Sequence, residues 1–498
     1  MRPLVTPEEM AVADQAAIEA GTPVEVLMER AGRAVARAAI DVAGGRYGRH
    51  AVLVCGKGNN GGDGFVAARV LRSEGLGVRC LFVGDLDAVE GAPRHHLELL
   101  RQHSVTVGSF DARTLAGADV VIDALFGTGF RGATEGEAAT AIDAMNASRA
   151  PIVAVDIPSG VNGTTGATEG RAVEAIVTVA MGAEKVGTAV GRGAALAGAV
   201  TVADIGIPVS PSGLSIAQEE DVRCVLPTRA VDAHKRSNGS VALLGGSDGM
   251  SGAAILTARG AVRMGAGYAT AGVTRTVDPI VSEALPEVLT KIVTDSEVLG
   301  TDVLEHFKDV LERAGALALG PGLGQGDAQR GLVDRALREV ELPLVVDADG
   351  LNVLAGHTYA LADRVTDTVI TPHPAELARL LEMETSAIEG DRVAAAREAA
   401  KRFGCVVVLK GFRSIIAQPD GTAVVNPTGG PSLATAGTGD VLTGAIAALL
   451  AAGLDAFEAA WAATYVHGLA GDLAGVEGVV AWDVAEALPD AIALVRGG

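Results

Sequence analysis

Along the chain, short unbroken apolar runs alternate with longer segments of helical period. The first half opens on a helical pattern from Thr6 to Ala39. It starts at Thr6-Pro7-Glu8-Glu9, a hydroxyl cap followed by proline and acidic first-turn residues. The runs AVLVCG (51–56), VRCLFVG (78–84), DVVIDALFG (119–127), IVAVDIP (152–158), AIVTVA (175–180) and VTVADIG (200–206) predict strands. FVAARVLRSEG (65–75) and APRHHLELLRQH (92–103) predict helices. The strands are apolar at consecutive positions rather than at every second one. Both faces of their sheet must therefore be buried, the condition of a parallel sheet with helices on either side. This half is expected to be a doubly wound, Rossmann-like three-layer α/β domain.

From Ile207 to Pro227, proline, serine and acidic residues interrupt the rhythm. The expected organisation is a domain over 1–213, a linker over 214–224 and a second α/β domain over 225–498. In the second half, VALLGGS (241–247), GALALGPGLG (315–324), LPLVVDADG (342–350), DTVITPHP (367–374) and CVVVLKG (405–411) look like strands running into loops. Ligands of such sheets collect at the carboxyl ends of the strands.

Composition narrows the function classes. The 498 residues are 49% hydrophobic but only 3% aromatic, so the cores must be built of Ala, Val, Leu and Ile. The net charge of −21 argues against nonspecific binding of nucleic acid or an anionic membrane. None of the four cysteines forms a C-x-x-C pair, and no uncharged apolar run approaches a membrane span. The expected setting is the reducing cytoplasm.

Candidate chemistry begins with CGKGNNGGDGF (55–65), read as a loop between a strand and a helix. It lacks the G-x-G-x-x-G spacing and a Walker lysine, so a plain mononucleotide loop fits poorly. Asn60 offers an amide oxygen, Asp123 ends a second strand, and Asp156 and Ser159 end a third. Such oxygens with little formal charge suit a hard, monovalent cation. The plainer alternative is that Asp123 and Asp156 only cap helices and form turns. GNNGGDG, DALFGTGFRG and VDIPSGVNG resemble the signature segments of the NAD(P)H-hydrate epimerases, over about residues 1–213. The resemblance implies interconversion of the R and S hydrates of NADH and NADPH. It implies substrate contacts at Asn59, Asn60, Gly61, Gly62 and Asp63. Gly127, Thr128, Gly129, Phe130, Arg131, Gly132 and Ala133 would cradle the phosphates. Asp156 would stand at the reacting ring, and Asn60, Asp123 and Ser159 would hold K⁺.

In the second half, NPTGGPSLATAGTGD (426–440) leads directly into the apolar VLTGAIAALLAAG. Bare N–H groups at a helix start make an anion site, glycines admit a phosphate closely, and Asp440 is placed to take a proton from a hydroxyl beside it. A glycine-rich cap with a dipole-favouring Asp is the alternative reading of the tetrapeptide alone. Together with SDGMSGAA, GPGLG, VVDADGLN, TPHPAEL and VVLKG, the segment is similar to the ADP/ATP-dependent NAD(P)H-hydrate dehydratases, over about residues 225–498. That implies a ribokinase-like α/β fold, substrate contacts at Ala253, Gly322, His373 and Asp440, and nucleotide contacts at Lys410, Gly411, Phe412, Arg413, Ser414 and Gly439. Asp440 would be the catalytic base, and Mg²⁺ would accompany ADP or ATP. Two departures show: HKRSNG (234–239) stands where the family often has HKGD-x-G, and Ala436 stands where a glycine is common.

The two resemblances together imply a cytoplasmic, homo-oligomeric bifunctional enzyme acting on NADHX and NADPHX, with ADP favoured as co-substrate. The alternative is a vitamin-precursor kinase carrying a non-catalytic N-terminal scaffold.

Overall fold

The computed structural model describes residues 1–210, 213–228 and 238–497. The chain divides into two compact units, one of Pro3–Leu214 and one of Met1–Arg2 with Ser215–Gly498.

The first unit carries a seven-stranded parallel sheet in the spatial order Val107–Ser109, Gly77–Phe82, His50–Cys55, Val120–Ala124, Ile152–Val155, Val177–Met181, Ala199–Ala203. Successive residues of the central strands point into different cores. Leu53 and Cys55 pack with the helices Val24–Val42, Asn59–Ser73 and Gly91–Gln102, whereas Val52 and Val54 pack with Ile142 and Met145 of the helix Gly136–Ala147. The unbroken apolar runs have this cause: every position faces a helix layer.

Three local expectations change. The opening helical pattern is two helices, Pro7–Glu19 and Val24–Val42, because Gly21-Thr22-Pro23 intervenes and proline cannot continue a helix interior. The first helix starts as its sequence indicates, with Thr6 accepting from the Glu9 N–H and Glu9 accepting from the Thr6 N–H. NNGGDG is not a loop; it forms the first turns of the helix Asn59–Ser73. The segment 214–224 contains the strand Leu214–Ile216 and most of the helix Glu219–Val225, and Val222 is fully buried in the second unit's core. Cys224 is exposed, whereas Cys55, Cys80 and Cys405 are buried.

In the second unit, strands follow in the order Leu289–Thr294, Tyr268–Thr274, Ser240–Leu244, Ala316–Leu319, Leu344–Val346, Thr368–Ile370 and Val406–Leu409, all parallel. Ile415–Ala417 and Ala423–Val425 then add antiparallel. One face is covered by the helices Ser251–Met264, Thr438–Ala451, Glu219–Val225, Ala456–Ala474 and Ala481–Val495. The helices Ser251–Met264 and Thr438–Ala451 meet almost backbone to backbone. A Cβ on Gly444 would lie 1.9 Å from the Thr257 carbonyl oxygen. No helix among the described residues is long and apolar enough to cross a membrane.

The glycine seam generates a test. Alanine is a better helix former than glycine by roughly 0.5–1 kcal/mol, but the carbonyl cannot retreat without moving its helix, and overpacking of a tight core costs about 1–3 kcal/mol. Gly444→Ala is expected to be net destabilising, read as a lower urea midpoint of the second unit; an unchanged or higher midpoint would show that the helices have room.

Candidate active sites

Both sites lie at strand carboxyl ends. In the first unit, a pocket of about 620 Å³ is lined by Asn59, Asn60 and Asp63 from the start of one helix, by Leu125 to Phe130, and by Asp14, Asp156 and Lys185. Behind the lining residues Leu125 and Phe126, Asp123 is wholly buried and does not itself line the pocket. The Ser159 hydroxyl donates to Asp123 Oδ1 at 2.6 Å, and the backbone N–H groups of Ser159 and Leu125 donate to the same carboxylate at 2.8 and 3.2 Å. The Phe126 N–H donates to Ser159 Oγ at 2.8 Å, and the Asn60 amide donates to the Phe126 carbonyl at 3.0 Å. Burial pushes the Asp123 carboxyl up to about 6, against the pull of its hydrogen bonds. An amide, a carboxylate, a hydroxyl and a backbone carbonyl thus converge from three elements, a donor set that suits a hard cation.

Asp156 follows the strand Ile152–Val155 with a left-handed backbone (φ 66°), a conformation costly for a non-glycine residue. Two contacts hold it. The Met181 N–H donates to Oδ1 at 2.9 Å, and the Lys185 ammonium at 2.5 Å. Lys185 also donates to the Met181 carbonyl at 2.7 Å, and its side chain is 1% exposed. Other expected residues stand apart. Gly61 packs on Gly56, and Gly62 on Met28. Arg131, Gly132 and Ala133 are exposed, with Arg131 paired to Glu8 at 2.7 Å.

In the second unit, Asp440 is the third residue of the helix Thr438–Ala451. Burial first, then the charge of Asp347, pushes its carboxyl up to about 7, with Lys410 pulling the other way. Lys410 follows the strand Val406–Leu409. Its Nζ lies 2.7 Å from Asp347 Oδ1 and 3.9 Å from Glu376 Oε2. Burial disfavours the ammonium, but Asp347 and Glu376 outweigh it and raise the lysine's pKa. Thr443 donates to the other Asp347 oxygen at 2.7 Å. A Cβ on Gly439 would stand 3.3 Å from Lys410 Nζ and 3.6 Å from Asp347 Oδ2, so the GTG backbone lies directly on this ion pair.

His373 caps the helix Pro374–Leu381. Its Nδ1 accepts from the Ala375 and Glu376 N–H groups at 3.2 and 3.3 Å, and Glu376 accepts from the His373 N–H at 2.8 Å. Burial, Lys410 and Arg379 lower its pKa, so the ring is neutral and its Nε2 carries the proton. Gly322 packs against Ala253 near the start of the helix Ser251–Met264. Between strands Val406–Leu409 and Ile415–Ala417, the residues Lys410 to Ser414 form a turn with Arg413 left-handed and Phe412 half exposed. Arg392 donates to the carbonyls of Leu409, Lys410 and Phe412 beneath it. Ala436 is exposed. Of HKRSNG, residues 234–237 lie outside the described residues.

Sequence reasoning missed Lys185, Asp347, Thr443, Glu376 and Arg392. Asp347 had a signal, since it ends a strand in VVDADG. Lys185 lies in MGAEKVG, where nothing in the spacing shows that the lysine turns inward.

Fold and sites define a two-unit α/β enzyme whose second unit is ribokinase-like. That unit superposes on a ribokinase-like superfamily protein from Enterococcus faecalis with a TM-score of 0.51 at 25% identity, covering 58% of this chain and 99% of that one. It also superposes on the ADP/ATP-dependent NAD(P)H-hydrate dehydratase from Bacillus subtilis co-crystallised with ATP/Mg²⁺, with a TM-score of 0.50 at 33% identity, covering 56% and 98%. Residues 241–492 match the family described as NAD(P)H-hydrate dehydratase, and residues 24–187 the family described as YjeF-related protein N-terminus. The bifunctional NAD(P)H-hydrate repair enzyme of Moorella thermoacetica is 39% identical, with 98% of this chain and 96% of that one aligned; that of Mycobacterium leprae is 37% identical over 93% and 92%. The chain belongs to the bifunctional NAD(P)H-hydrate repair enzymes.

The ion pair beneath Gly439 can be tested without substrate. Lys410→Met leaves Asp347 buried and uncompensated, a change that costs about 3–5 kcal/mol, and removes the attraction that holds Asp440 down. A stability loss of that order and a carbon-detected Asp440 titration moved above its parent value are expected. A stability loss below about 1 kcal/mol, the range of a surface pair, would refute the buried pair.

Proposed function

We propose that the first unit interconverts the R and S hydrates of NADH and NADPH, and that the second dehydrates the S form with ADP, or ATP, as co-substrate. The observation that carries this reading is the Asp440 carboxyl, half-buried at a glycine-lined helix N-terminus near Lys410 and pushed up to about 7. Hydroxide is a poor leaving group, and phosphorylating the hydroxyl replaces it with phosphate. Asp440 takes the hydroxyl proton as the oxygen attacks the terminal phosphoryl group. The Thr438–Gly439 backbone and Lys410 meet the transferring charge. The ring nitrogen lone pair then expels phosphate, and loss of a proton from the neighbouring carbon restores the dihydropyridine. The products are NAD(P)H, phosphate and AMP when ADP is used. His373 offers its Nε2–H to the substrate, with Ala253 and Gly322 forming the adjoining wall. The turn Lys410 to Ser414 and Gly439 take the nucleotide, and Mg²⁺ arrives with it as counter-ion.

In the first unit, epimerisation needs the hydrate's C–O bond to open and reclose, with Asp156 beside the ring. Asn59 to Asp63 and Gly127 to Ala133 are the proposed substrate contacts. Asn60, Asp123 and Ser159 are the proposed K⁺ ligands. The ion would supply positive charge beside a buried carboxylate. We assign the activities to residues 1–213 and 225–498, with the cytosol as their place of action. A vitamin-precursor kinase with a non-catalytic first unit is disfavoured by relatives that align along nearly the whole chain and are named as bifunctional repair enzymes.

Two measurements test the reading. Dehydration of S-hydrate, followed as recovered 340-nm absorbance with ADP and ATP in parallel, should rise with pH through about 7, because only the ionised Asp440 accepts a proton. Asp440→Asn should lower it by roughly 10²–10⁴-fold while R-to-S exchange persists; retention of more than a tenth of parental dehydration removes Asp440 as base. Separately, replacing K⁺ with tetramethylammonium should slow R-to-S exchange or weaken hydrate binding. Unchanged kinetics would remove the cation from the first site.

A further inference from the structure

Three carboxyl groups line the pocket of the first unit, Asp14, Asp63 and Asp156, and the last two stand in opposite surroundings. Asp156 is the counter-charge of a buried lysine and accepts hydrogen bonds from Lys185 Nζ at 2.5 Å and the Met181 N–H at 2.9 Å. Asp63 lines the same pocket one turn into the helix Asn59–Ser73, and among the described residues no donor reaches its carboxyl. The groups around Asp63 come from several elements. Asp14 projects from the helix Pro7–Glu19, Asp156 from its strand end and Lys185 from the strand Glu184–Lys185; Lys57 also lines the pocket. The helices Val24–Val42 and Gly91–Gln102 bring Met28 and Pro93 against the same helix at Gly62. On these helices Glu29 pairs with Arg69, His96 meets the Glu25 carbonyl, and Arg30 donates to the carbonyl of Ile205, which lines the pocket. Among the described residues, Lys185 is the cation that pulls on the Asp63 carboxyl, and it is committed to Asp156.

We propose that Asp63 is the proton donor of the first site, with Asp156 the carboxylate that faces the cation formed on the ring and Lys185 the positioning residue that holds Asp156. This rests on the epimerase reading above. Asp63 gives its proton to the hydrate's hydroxyl, and the C–O bond breaks with both electrons leaving on water. The ring nitrogen lone pair closes a C=N⁺ bond beside Asp156. Water then adds to the opposite face, and the proton it sheds returns through solvent to Asp63. Burial, then the charges of Asp156 and Asp14, raise the Asp63 carboxyl well above the usual carboxylate range, so it carries the proton this step uses. Two carboxyls in one pocket whose surroundings separate them are the pattern of an acid and its anionic partner.

The test uses full-length protein and follows R-to-S exchange chromatographically above the uncatalysed rate. Exchange in the parent should fall as pH rises, because the protonated acid is lost as pH passes its raised pKa. Asp63→Asn should lower exchange by roughly 10²–10⁴-fold, with S-hydrate dehydration by the second unit unchanged. Asp63→Glu should restore part of the rate and move the high-pH limb. Exchange by Asp63→Asn within tenfold of the parent overturns the proposal. So does a high-pH limb that stays in place in an active Asp63→Glu variant, which decides the matter if the Asn variant fails to fold. A parent with no exchange above background removes the epimerase reading itself, and this inference with it.

Discussion

The buried Asp347 carboxylate is the point on which the second unit's site depends. It ends one strand, takes Lys410 from the end of another, and takes Thr443 from the helix whose first turn carries Gly439 and Asp440. Two buried charges are unfavourable apart and tolerable together. Pairing them therefore registers three elements against one another at the proposed phosphoryl-transfer site. The close helix seam at Gly444 serves the same end from behind, by fixing how far the helix Thr438–Ala451 stands from its neighbour.

The first unit solves a related problem with Lys185 and Asp156. A lysine with a side chain 1% exposed is disfavoured on its own, and here its ammonium is shared between a carboxylate and a backbone carbonyl. The left-handed backbone at Asp156 is sustained by these contacts. In both units a charged side chain proposed to meet a ligand, Asp156 in one and Lys410 in the other, is held by a buried opposite charge that is itself hydrogen-bonded.

Much of the architecture was legible because parallel sheets write themselves as continuous apolar runs. The central strands and the ends of those strands, where Asp123, Asp156, His373 and Lys410 stand, follow from that pattern alone. Legibility failed where a residue's role depends on what lies across space. NNGGDG looked like a loop because three glycines and two asparagines are poor helix formers, yet the glycines let this helix pack against Gly56 and Met28. The short antiparallel strands Ile415–Ala417 and Ala423–Val425 gave too little pattern to be separated from their turns. Lys185 and Arg392 are ordinary charged residues in the sequence, and only the fold turns them inward.

Arg392 carries a consequence of its own. Its guanidinium gathers the carbonyls of Leu409, Lys410 and Phe412, so the turn through Ser414 has its backbone oxygens already engaged. A turn pinned from below loses little conformational entropy when a nucleotide settles on it. Under the proposed assignment of the nucleotide to this turn, recognition is docking onto a rigid shelf, with Phe412 half exposed above it, rather than the folding of a flap around a guest.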